Sequence, residues 1–286
     1  MRTVVHISDL HFGRVRPDLV APLLESIRAA QPDLVVVSGD LTQRARNWQF
    51  AAARHFLATL PQPLLVIPGN HDIPLDLAWM RLLAPWARYR RWVGRDLEPC
   101  FQDEEIVAVG LNTVAPFLWE RGWIADRAVT RASARFGPAD GRMRIVITHH
   151  PFVHAPQATR KPLMLGAAPA VRALARGGAD IILSGHLHTG RAEAYCAATG
   201  EAGSVLLVQA GTGLSTRTRG QGNDYNVLRI DNGAVAIARF AMSDARQSFH
   251  CVEETRFIRQ NGAWMLADPL AGPGRPAMPD DDTRMA

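Results

Sequence analysis

Side chains that bind transition metals recur in small groups along the first two thirds of the chain. Seven stand out by type and spacing, namely Asp9, His11, Asp40, Asn70, His149, His186 and His188. Carboxylate, amide and imidazole groups together suit Mn, Fe or Zn, and the lack of cysteine among them argues against a structural zinc site. Seven donors exceed the needs of one ion. They predict two metal ions about 3.5 to 4 Å apart that share one carboxylate, an arrangement suited to hydrolysis.

The spacing of these donors indicates how each ion would be held. Asp9 and His11 lie two residues apart on a segment expected to be extended, so both side chains should point to one side. His186 and His188 have the same spacing. Asp40 stands alone at the end of its strand and is therefore the natural bridge between two ions. A glycine precedes three of the donors and predicts a sharp turn of the backbone beside the ions.

Each group of donors follows a short apolar run, and these runs alternate with amphipathic helical patterns as in βαβ units. The predicted strands are Thr3–Ser8, Leu34–Ser38, Leu64–Ile67, Ile106–Leu111, Arg144–Thr148, Ile181–Ser184, Ala192–Cys196, Val205–Gln209, Asn226–Ile230 and Val235–Phe240. The predicted helices begin near Pro17 and at a cap on Asn47, then span about Leu77–Arg90, Arg127–Phe136 and Ala168–Arg176. Open α/β sheets bind ligands beyond the carboxyl ends of their strands, so donors far apart in sequence should converge at one site.

This order of elements predicts an α/β fold, a layered sandwich of mixed β-sheets flanked by helices. Residues 1–245 would form one domain. Residues 246–267 would add a C-terminal hairpin that turns at Asn261 and Gly262. Residues 268–286 are rich in Pro, Gly and Asp and poor in apolar side chains, which predicts a disordered tail.

Composition and charge exclude several classes of protein. With 47% hydrophobic and 21% charged residues in a chain of 286, the sequence is typical of a folded globular protein. No apolar stretch approaches the roughly 20 residues that a transmembrane helix needs, and the N-terminus lacks a secretory signal, so we expect a cytoplasmic protein. The three cysteines are far apart, which argues against a disulfide framework. The net charge of +5 comes from scattered arginines, which argues against nucleic-acid binding.

Five motifs occur in one order, each after a predicted strand. They are DLH at residues 9–11, GD at 39–40, GNHD at 69–72, a lone His149 and GHLH at 185–188. Over about residues 1 to 240, this set resembles the calcineurin-like metallophosphoesterase superfamily and implies the layered fold of that superfamily. The resemblance also implies a division of the donors, in which Asp9, His11, Asp40 and His188 bind one metal ion, and Asp40, Asn70, His149 and His186 bind the other.

The resemblance further implies roles for the residues beside the metal ions. His71 would protonate the leaving oxygen or stabilise charge on the phosphoryl group. Asp72 would orient His71 or its loop rather than bind metal. A bound cation lowers the pKa of water from about 15.7 towards about 7, so a hydroxide held between the ions can attack phosphorus at neutral pH.

The motifs are most similar to the bacterial branch that includes cyclic-nucleotide and glycerol phosphodiesterases. This implies a metal-dependent phosphodiesterase that hydrolyses a small phosphodiester, with 3′,5′-cyclic AMP as the first candidate. One alternative is hydrolysis of a lipid-linked UDP-sugar pyrophosphate, which needs an apolar groove that the Phe117–Trp123 segment could line. A nuclease, a phosphomonoesterase and a non-catalytic scaffold are the others, but a scaffold would be expected to have lost some donors. The sequence is compatible with a homo-oligomer.

Five further residues are candidates for substrate binding, namely His150, Arg14, Arg44, Trp119 and Arg217. His150 follows His149 on an extended chain and should therefore point away from it. Arg14 and Arg44 follow the first two motifs and would hold a second phosphate or simply begin solvated helices. Trp119 lies in an aromatic run that would line the substrate pocket or pack in the core. Arg217 lies in a loop that would cover the site or merely connect two strands.

Overall fold

The structure is a computed structural model that describes residues 1–138, 140–153, 162–196, 203–218, 220–231 and 233–267. The predicted tail at 268–286 lies outside the described residues. The strands are β1 (Arg2–Ile7), β2 (Leu34–Val37), β3 (Leu64–Val66), β4 (Cys100–Gln102), β5 (Ile106–Gly110), β6 (Met143–Ile147), β7 (Ile181–Ser184), β8 (Arg191–Cys196), β9 (Ser204–Gln209), β10 (Asp224–Asp231), β11 (Ala234–Ser243), β12 (Ser248–Gln260) and β13 (Ala263–Leu266). The α-helices are α1 (Val20–Ala29), α2 (Asn47–Leu57), α3 (Ala78–Leu83), α4 (Ala87–Trp92), α5 (Asp126–Arg135) and α6 (Ala167–Arg176). None of these helices is long and apolar enough to span a membrane.

The strands form two mixed sheets. The first sheet has the order β13-β12-β11-β10-β1-β2-β3, in which β1, β2 and β3 run parallel. The second sheet has the order β4-β5-β6-β7-β9-β8, in which β5, β6, β7 and β9 run parallel. The remaining neighbours pair antiparallel. The predicted fold class, an α/β sandwich of mixed sheets flanked by helices, is therefore confirmed.

Alternate residues of one strand serve different cores, because successive side chains on a strand point to opposite faces. Val4 of β1 belongs to the core between the two sheets, whereas Val5 belongs to the core that α1 and α2 cover. A third core lies between the second sheet and helices α5 and α6, where Val146 and Leu174 are buried. The result is four layers in the order helix, sheet, sheet, helix. Strand β2 is buried on both faces, which explains its unbroken apolar run of LVVV.

Three elements differ from the sequence predictions. The helix expected over Leu77–Arg90 is two short helices, α3 and α4, because Pro85 between them cannot continue a helix. Helix α2 begins at Asn47 with Arg46 as its cap residue, and the Asn47 side chain instead accepts a hydrogen bond from Trp92 Nε1 at 3.1 Å. Strand β4 was not predicted, since three largely exposed residues carry no periodic signal.

The segment after residue 245 continues the first sheet. Strand β12 pairs with β11 over Ser248–Ile258, and β13 folds back on β12 across a turn at Asn261 and Gly262. Both turn residues have positive φ, which suits an Asn-Gly pair. Trp264 of β13 is buried in the core between the sheets, and its backbone N–H donates to Ser204 Oγ at 2.9 Å. This hairpin therefore helps to cover the core between the sheets.

Strands of both sheets end at one edge of the sandwich. There the loops that follow the strands are joined by backbone hydrogen bonds. The Asp9 N–H donates to Gly39 O at 3.1 Å, which joins the loops after β1 and β2. The Gly185 N–H donates to His149 O at 3.0 Å, which joins the loops after β7 and β6. The predicted donors lie on these loops.

Candidate metal centre

The seven predicted donors meet at this edge of the sandwich. The loops after β1, β2 and β3 supply Asp9, His11, Asp40 and Asn70, and those after β6 and β7 supply His149, His186 and His188. All seven side chains are buried. Buried carboxylates and imidazoles need hydrogen-bonding or charged partners, because each buried polar group left without one costs free energy.

Asp9, His11 and His188 form the first half of the cluster. Asp9 Oδ1 lies 3.1 Å from His188 Nε2 and 3.6 Å from His11 Nε2, and the two Nε2 atoms lie 3.2 Å apart. Asp9 Oδ1 is buried and accepts no hydrogen bond of normal geometry from the residues that the structure describes. Two imidazole nitrogens and an unsatisfied carboxylate oxygen that lie so close together fit the ligand set of one metal ion.

Asp40, Asn70 and His149 belong to the second half of the cluster. His149 Nε2 lies 3.0 Å from Asn70 Oδ1 and 3.4 Å from Asp40 Oδ1. The other carboxylate oxygen of Asp40 lies 3.6 Å from His11 Nε2, so this one side chain reaches both halves. The His186 ring is adjacent, with its centroid 5.1 Å from that of His149. The arrangement fits two ions with the Asp40 carboxylate between them.

Backbone carbonyl groups orient two of the imidazole rings. Nδ1 of His149 lies 2.8 Å from Ser38 O, and Nδ1 of His188 lies 2.7 Å from Arg217 O. An Nδ1–H that donates to a carbonyl leaves the lone pair on Nε2, the atom that faces the other donors. Both rings are therefore held in the tautomer that a metal ligand at Nε2 requires.

Five of the seven donors have a left-handed backbone conformation. The φ angle lies between 50° and 73° at Asp9, His11, Asp40, His186 and His188. Such angles are uncommon for residues other than glycine and persist only where the surrounding structure enforces them. The backbone hydrogen bonds between the loops do so here. Donors two positions apart therefore converge because the backbone is left-handed at each of them. The prediction that these donor pairs lie on extended segments is wrong.

Two glycines permit the close approach of these loops rather than a turn. Gly69 and Gly185 do not have positive φ. A Cβ atom at Gly185 would overlap Ser8 Oγ and lie 2.5 Å from Asp9 Oδ2, and one at Gly69 would overlap a neighbouring backbone nitrogen. Of the three glycines that precede donors, only Gly39, with φ of 96°, makes the predicted sharp turn.

Burial and close neighbours shift the pKa values of the cluster. Burial alone would raise the pKa values of Asp9 and Asp40, but the adjacent imidazoles hold both well below the usual 3.8. Burial lowers the pKa of His11 to about 4, although both carboxylates oppose this. Burial also disfavours charge on His149, but Asp40 and Asp9 outweigh it and raise the pKa of His149 to about 9. Such a cluster can release a proton from an imidazole when a metal cation binds in its place.

His71 and Arg217 lie beside the donors as a hydrogen-bonded pair. The His71 backbone N–H donates to Asp40 Oδ1 at 2.8 Å, and its ring lies edge-on to that of His11 at 4.9 Å. His71 Nδ1 lies 2.8 Å from Gln43 O, and its Nε2 lies 3.2 Å from Arg217 Nη1. An imidazole and a guanidinium at the rim of such a cluster are able to carry a proton and to bind an anion.

Asp72 joins two loops instead of facing the donors. Its carboxylate accepts hydrogen bonds from the backbone N–H groups of Leu41, Thr42 and Gly69 at 2.8 to 3.1 Å, and from the Thr42 hydroxyl. Burial, together with the charge of Asp40, raises the pKa of Asp72 to about 7. These contacts make Asp72 a support of the loop that carries the neighbouring histidine.

His150 lies close to the cluster, contrary to the prediction that it points away from His149. Its ring centroid is 4.9 Å from that of His149 and 4.7 Å from that of His186. The prediction is wrong because strand β6 ends at Ile147 and the chain bends at both histidines, so their side chains no longer alternate. His150 Nδ1 lies 2.8 Å from Thr113 Oγ1.

The other four substrate candidates lie in different places. Arg217 contacts the site through both its carbonyl and its guanidinium group. Arg14 and Arg44 have exposed side chains, and within the described residues neither side chain forms a hydrogen bond or ion pair with a donor. Trp119 is exposed, and the guanidinium carbon of Arg81 lies 5.1 Å from its ring centroid.

Sequence reasoning missed the polar groups behind the donors. Ser8 Oγ donates to Asp9 Oδ2 at 2.7 Å. Ser38 Oγ lies 2.9 Å from His6 Nε2, while the Ser38 carbonyl faces His149. The position of each serine at the end of a predicted strand was a usable signal. The carbonyl contacts leave no trace in the sequence, because every residue has a carbonyl group.

Comparisons with known sequences agree with this geometry. The family model described as calcineurin-like phosphoesterase matches residues 2–190. The glycerophosphodiester phosphodiesterase GpdQ of Enterobacter lignolyticus is 30% identical over 175 residues, which are 56% of this chain. The UDP-2,3-diacylglucosamine pyrophosphatase LpxG of Chlamydia trachomatis is 36% identical over 72 residues, which are 24% of this chain. The chain covers 60% of the length of the first relative and 22% of the second.

Two solved structures share the fold at low sequence identity. The purple acid phosphatase PPD1 of yellow lupin (Lupinus luteus) has a TM-score of 0.66 at 13% identity, over 91% of this chain and 54% of that one. A dimetal phosphatase from Danio rerio has a TM-score of 0.58 at 13% identity, over 88% of this chain and 98% of that one. The family model, in turn, covers more than half of the chain and all seven donors. The chain therefore belongs to the calcineurin-like phosphoesterase family, a family of metal-dependent phosphoester hydrolases.

Proposed function

We propose that this protein is a phosphodiesterase that hydrolyses a small phosphodiester with the help of two bound metal ions. The observation that carries the proposal is the convergence of seven buried donors beside the His71–Arg217 pair. Similarity to a glycerophosphodiester phosphodiesterase supports a diester as the substrate. Within this class, the resemblance of the motifs makes 3′,5′-cyclic AMP one candidate substrate, and similarity to that relative makes glycerophosphodiesters another.

The donor set suits Mn, Fe or Zn, since it combines carboxylate, amide and imidazole groups without thiolate. One ion would be held by Asp9, His11, Asp40 and His188, and the other by Asp40, Asn70, His149 and His186. When bound, such ions polarise a phosphoryl oxygen and lower the pKa of water. The buried carboxylates, whose pKa values lie well below 3.8, would be ionised and ready for this role at neutral pH.

His71 would act at the leaving group. Its Nδ1–H is held by Gln43 O, so a proton taken up at Nε2 can pass to the oxygen that departs from phosphorus. The guanidinium of Arg217 covers that nitrogen at 3.2 Å. A phosphoryl group would draw the guanidinium away, because Arg pairs closely with phosphate oxygens, and would thereby free Nε2. Arg217 would thus bind the anion while His71 transfers the proton.

His150 and Trp119 would contact the parts of the substrate outside the phosphoryl group. His150 lies on the His186 side of the cluster, and Trp119 is an exposed aromatic on the loop that packs against His150. The exposed Arg14 and Arg44 would serve substrates that carry a second phosphate. A substrate with one phosphate should therefore be insensitive to the loss of either arginine.

The direct test is turnover by protein loaded in turn with Mn, Fe and Zn. We expect kcat/KM of about 10⁴ M⁻¹s⁻¹ or more for cyclic AMP or for glycerophosphocholine, the lower end of ordinary enzyme efficiency. The activated diester bis(4-nitrophenyl) phosphate serves as the reference in the same buffer. Protein that holds two ions per chain and hydrolyses none of these diesters would refute the proposal.

Variants of three residues separate metal binding from catalysis. Asp40→Asn should lower the metal content below two ions per chain, because it removes the shared carboxylate. His71→Ala should keep both ions but lower kcat for diesters with poor leaving groups by about 10² to 10⁴. Arg217→Gln should raise KM or lower kcat without loss of metal. The matched controls are His55→Ala and Arg54→Gln, two exposed side chains of α2 that should change none of these quantities.

A second candidate is hydrolysis of a lipid-linked nucleotide pyrophosphate. Similarity to a UDP-2,3-diacylglucosamine pyrophosphatase over 72 residues and the exposed aromatic loop support it. The same metal-loaded protein would then release a nucleoside monophosphate from that lipid substrate. A kcat/KM that exceeds those of the small diesters by tenfold or more would favour this second candidate.

A further inference from the structure

Six large apolar side chains are exposed on two segments near the metal centre. They are Trp79, Leu82 and Leu83 of α3, and Phe117, Trp119 and Trp123 of the loop after β5. They make up most of the eleven large apolar side chains that are exposed in the described part of the chain. Leu83 is 82% exposed and Phe117 is 75% exposed. Clusters of this kind mark interaction sites on soluble proteins, and we refer to these six residues as the aromatic rim.

The two segments of the aromatic rim are fixed to one another by Arg81. Its Nε donates to Pro116 O at 2.6 Å, and its guanidinium group lies over the Trp119 ring. Its Nη1 donates to Pro74 O at 3.2 Å. Trp79 lies three and four positions before the two leucines of α3, so these three side chains share one side of that helix. The buried Arg81 occupies the other side and connects the helix to the loop.

The aromatic rim borders the metal centre. Thr113 Oγ1, at the start of the loop, lies 2.8 Å from His150 Nδ1. A Cβ atom at Gly122, near its end, would overlap the His150 ring. That ring in turn lies 4.7 Å from the His186 ring. The loop therefore packs directly on the side of the donor cluster, while α3 follows closely after the loop that carries Asp72.

The segment that contains α3 and α4 is positively charged. Residues 77–95 contain five arginines and three tryptophans but no aspartate or glutamate. Arg90 and Arg91 of α4 are exposed, and neither forms an ion pair within the part of the chain that the structure describes. Tryptophan and arginine side by side are typical of protein surfaces at the membrane–water interface. A second copy of this chain would bring the same positive segment against itself, whereas an anionic surface would complement it.

We propose that the aromatic rim and the arginines of α4 bind the protein to the surface of an anionic lipid bilayer. The apolar side chains would enter the boundary between headgroups and acyl chains, and the arginines would pair with lipid phosphates. The metal centre would then lie beside the headgroup layer. It would be within reach of phosphodiesters that are released from this layer and of those that remain part of it. This proposal goes beyond the phosphodiesterase activity and does not depend on it.

The test is cosedimentation of the full-length protein with vesicles of phosphatidylcholine, with and without 30 mol% phosphatidylglycerol. We expect binding to the anionic vesicles and a fall in binding at about 0.5 M salt. The variant Leu82→Ser with Leu83→Ser should bind at least about tenfold more weakly, since it removes apolar surface from the rim. The matched control is Met265→Ser with Leu266→Ser, another exposed apolar pair, on β13, which should bind as the unmodified protein does.

Three results would overturn the proposal. The unmodified protein could fail to bind anionic vesicles, or the double variant at residues 82 and 83 could bind them unchanged. Sedimentation velocity could instead show a dimer that the same double variant disperses, in which case the rim is an interface between two copies. Circular dichroism melting of both double variants checks that they fold. Hydrolysis of bis(4-nitrophenyl) phosphate should be the same in both, so a failure of vesicle binding is distinguishable from a failure of the proposed activity.

Discussion

The substitution Gly185→Ala tests whether close packing of the loops positions Asp9, the first of the proposed metal ligands. The new methyl group would overlap Ser8 Oγ and lie 2.5 Å from Asp9 Oδ2. That carboxylate oxygen accepts two hydrogen bonds, from Ser8 Oγ at 2.7 Å and from the His186 N–H at 2.8 Å. Relief of the overlap requires the Asp9 side chain to move, because the backbone of both loops is fixed by hydrogen bonds.

The size of the effect follows from those two contacts. Each hydrogen bond to a charged group contributes about 1.5 to 3 kcal/mol, so their loss should lower the free energy of unfolding by about 4 kcal/mol. For a chain of this size, that corresponds to a fall in Tm of roughly 10 °C. Displacement of Asp9 should also weaken metal binding by about 10-fold to 100-fold, as is typical when the support of a ligand is removed.

The assay is thermal melting of metal-free and metal-loaded protein, together with metal content after dialysis. Gly94→Ala is the control, because no atom lies within 4 Å of its new methyl group, and its Tm should stay the same or rise slightly. Adding Ser8→Ala removes one of the two overlapping oxygens, so the double variant should recover part of the lost stability but not the metal affinity. Unchanged Tm and metal content in Gly185→Ala would show that the loops are not packed as described.

Three other substitutions test the buried polar groups. Asp72→Ala leaves three backbone N–H groups without an acceptor, so urea denaturation should show a loss of about 3 kcal/mol or more; a loss below 1 kcal/mol would contradict the bridging role. Burial lowers the pKa of His6 to about 3, so the unfolded chain binds a proton below pH 6.5 that the folded protein does not, and stability falls as pH falls. His6→Gln should therefore remove about 1.4 kcal/mol of acid destabilisation per pH unit between pH 6 and 4.5. Burial raises the pKa of Asp224 to about 6, so the folded protein keeps a proton that the unfolded chain loses, and stability falls as pH rises from 4 to 6. Asp224→Asn should remove a pH dependence of the free energy of unfolding that has a similar size and the opposite sign. If a variant and the unmodified protein show the same pH dependence, the shifted pKa assigned to that residue is refuted.

The positions of the donors were predictable because parallel strands impose them. Buried parallel strands appear as unbroken apolar runs, and the polar residues within a few positions of the end of each run must lie at the shared edge. Asp40 after LVVV and His149 after RIVIT illustrate this. The grouping of the donors into two halves was implied by the family resemblance and not by the strand order, because His186 and His188 follow the same strand but belong to different halves.

The local backbone at the donors was not predictable from the same pattern. Asp9 and His11 reach a common site through left-handed conformations, which are enforced by hydrogen bonds from their N–H groups to Gly39 O and Asp40 O at 3.1 and 2.9 Å. Those partners lie about 30 residues away, so no local rule reveals them. The position of His150 was misjudged for the same reason. The break at Pro85, by contrast, was visible in the sequence, because proline interrupts a helix wherever it lies in the interior.

The left-handed backbone of the donors has a consequence for how this protein can change. Each non-glycine residue in that conformation costs about 1 kcal/mol or more relative to an ordinary one, so the five donors together make the metal-free scaffold less stable than it would otherwise be. Glycine at such a position would relieve the cost and remove a proposed metal ligand in one step. Selection for thermal stability alone would therefore favour loss of the proposed metal ligands. Selection that also requires catalytic turnover would confine stabilising substitutions to the surface, away from the edge of the sandwich at which strands of both sheets end.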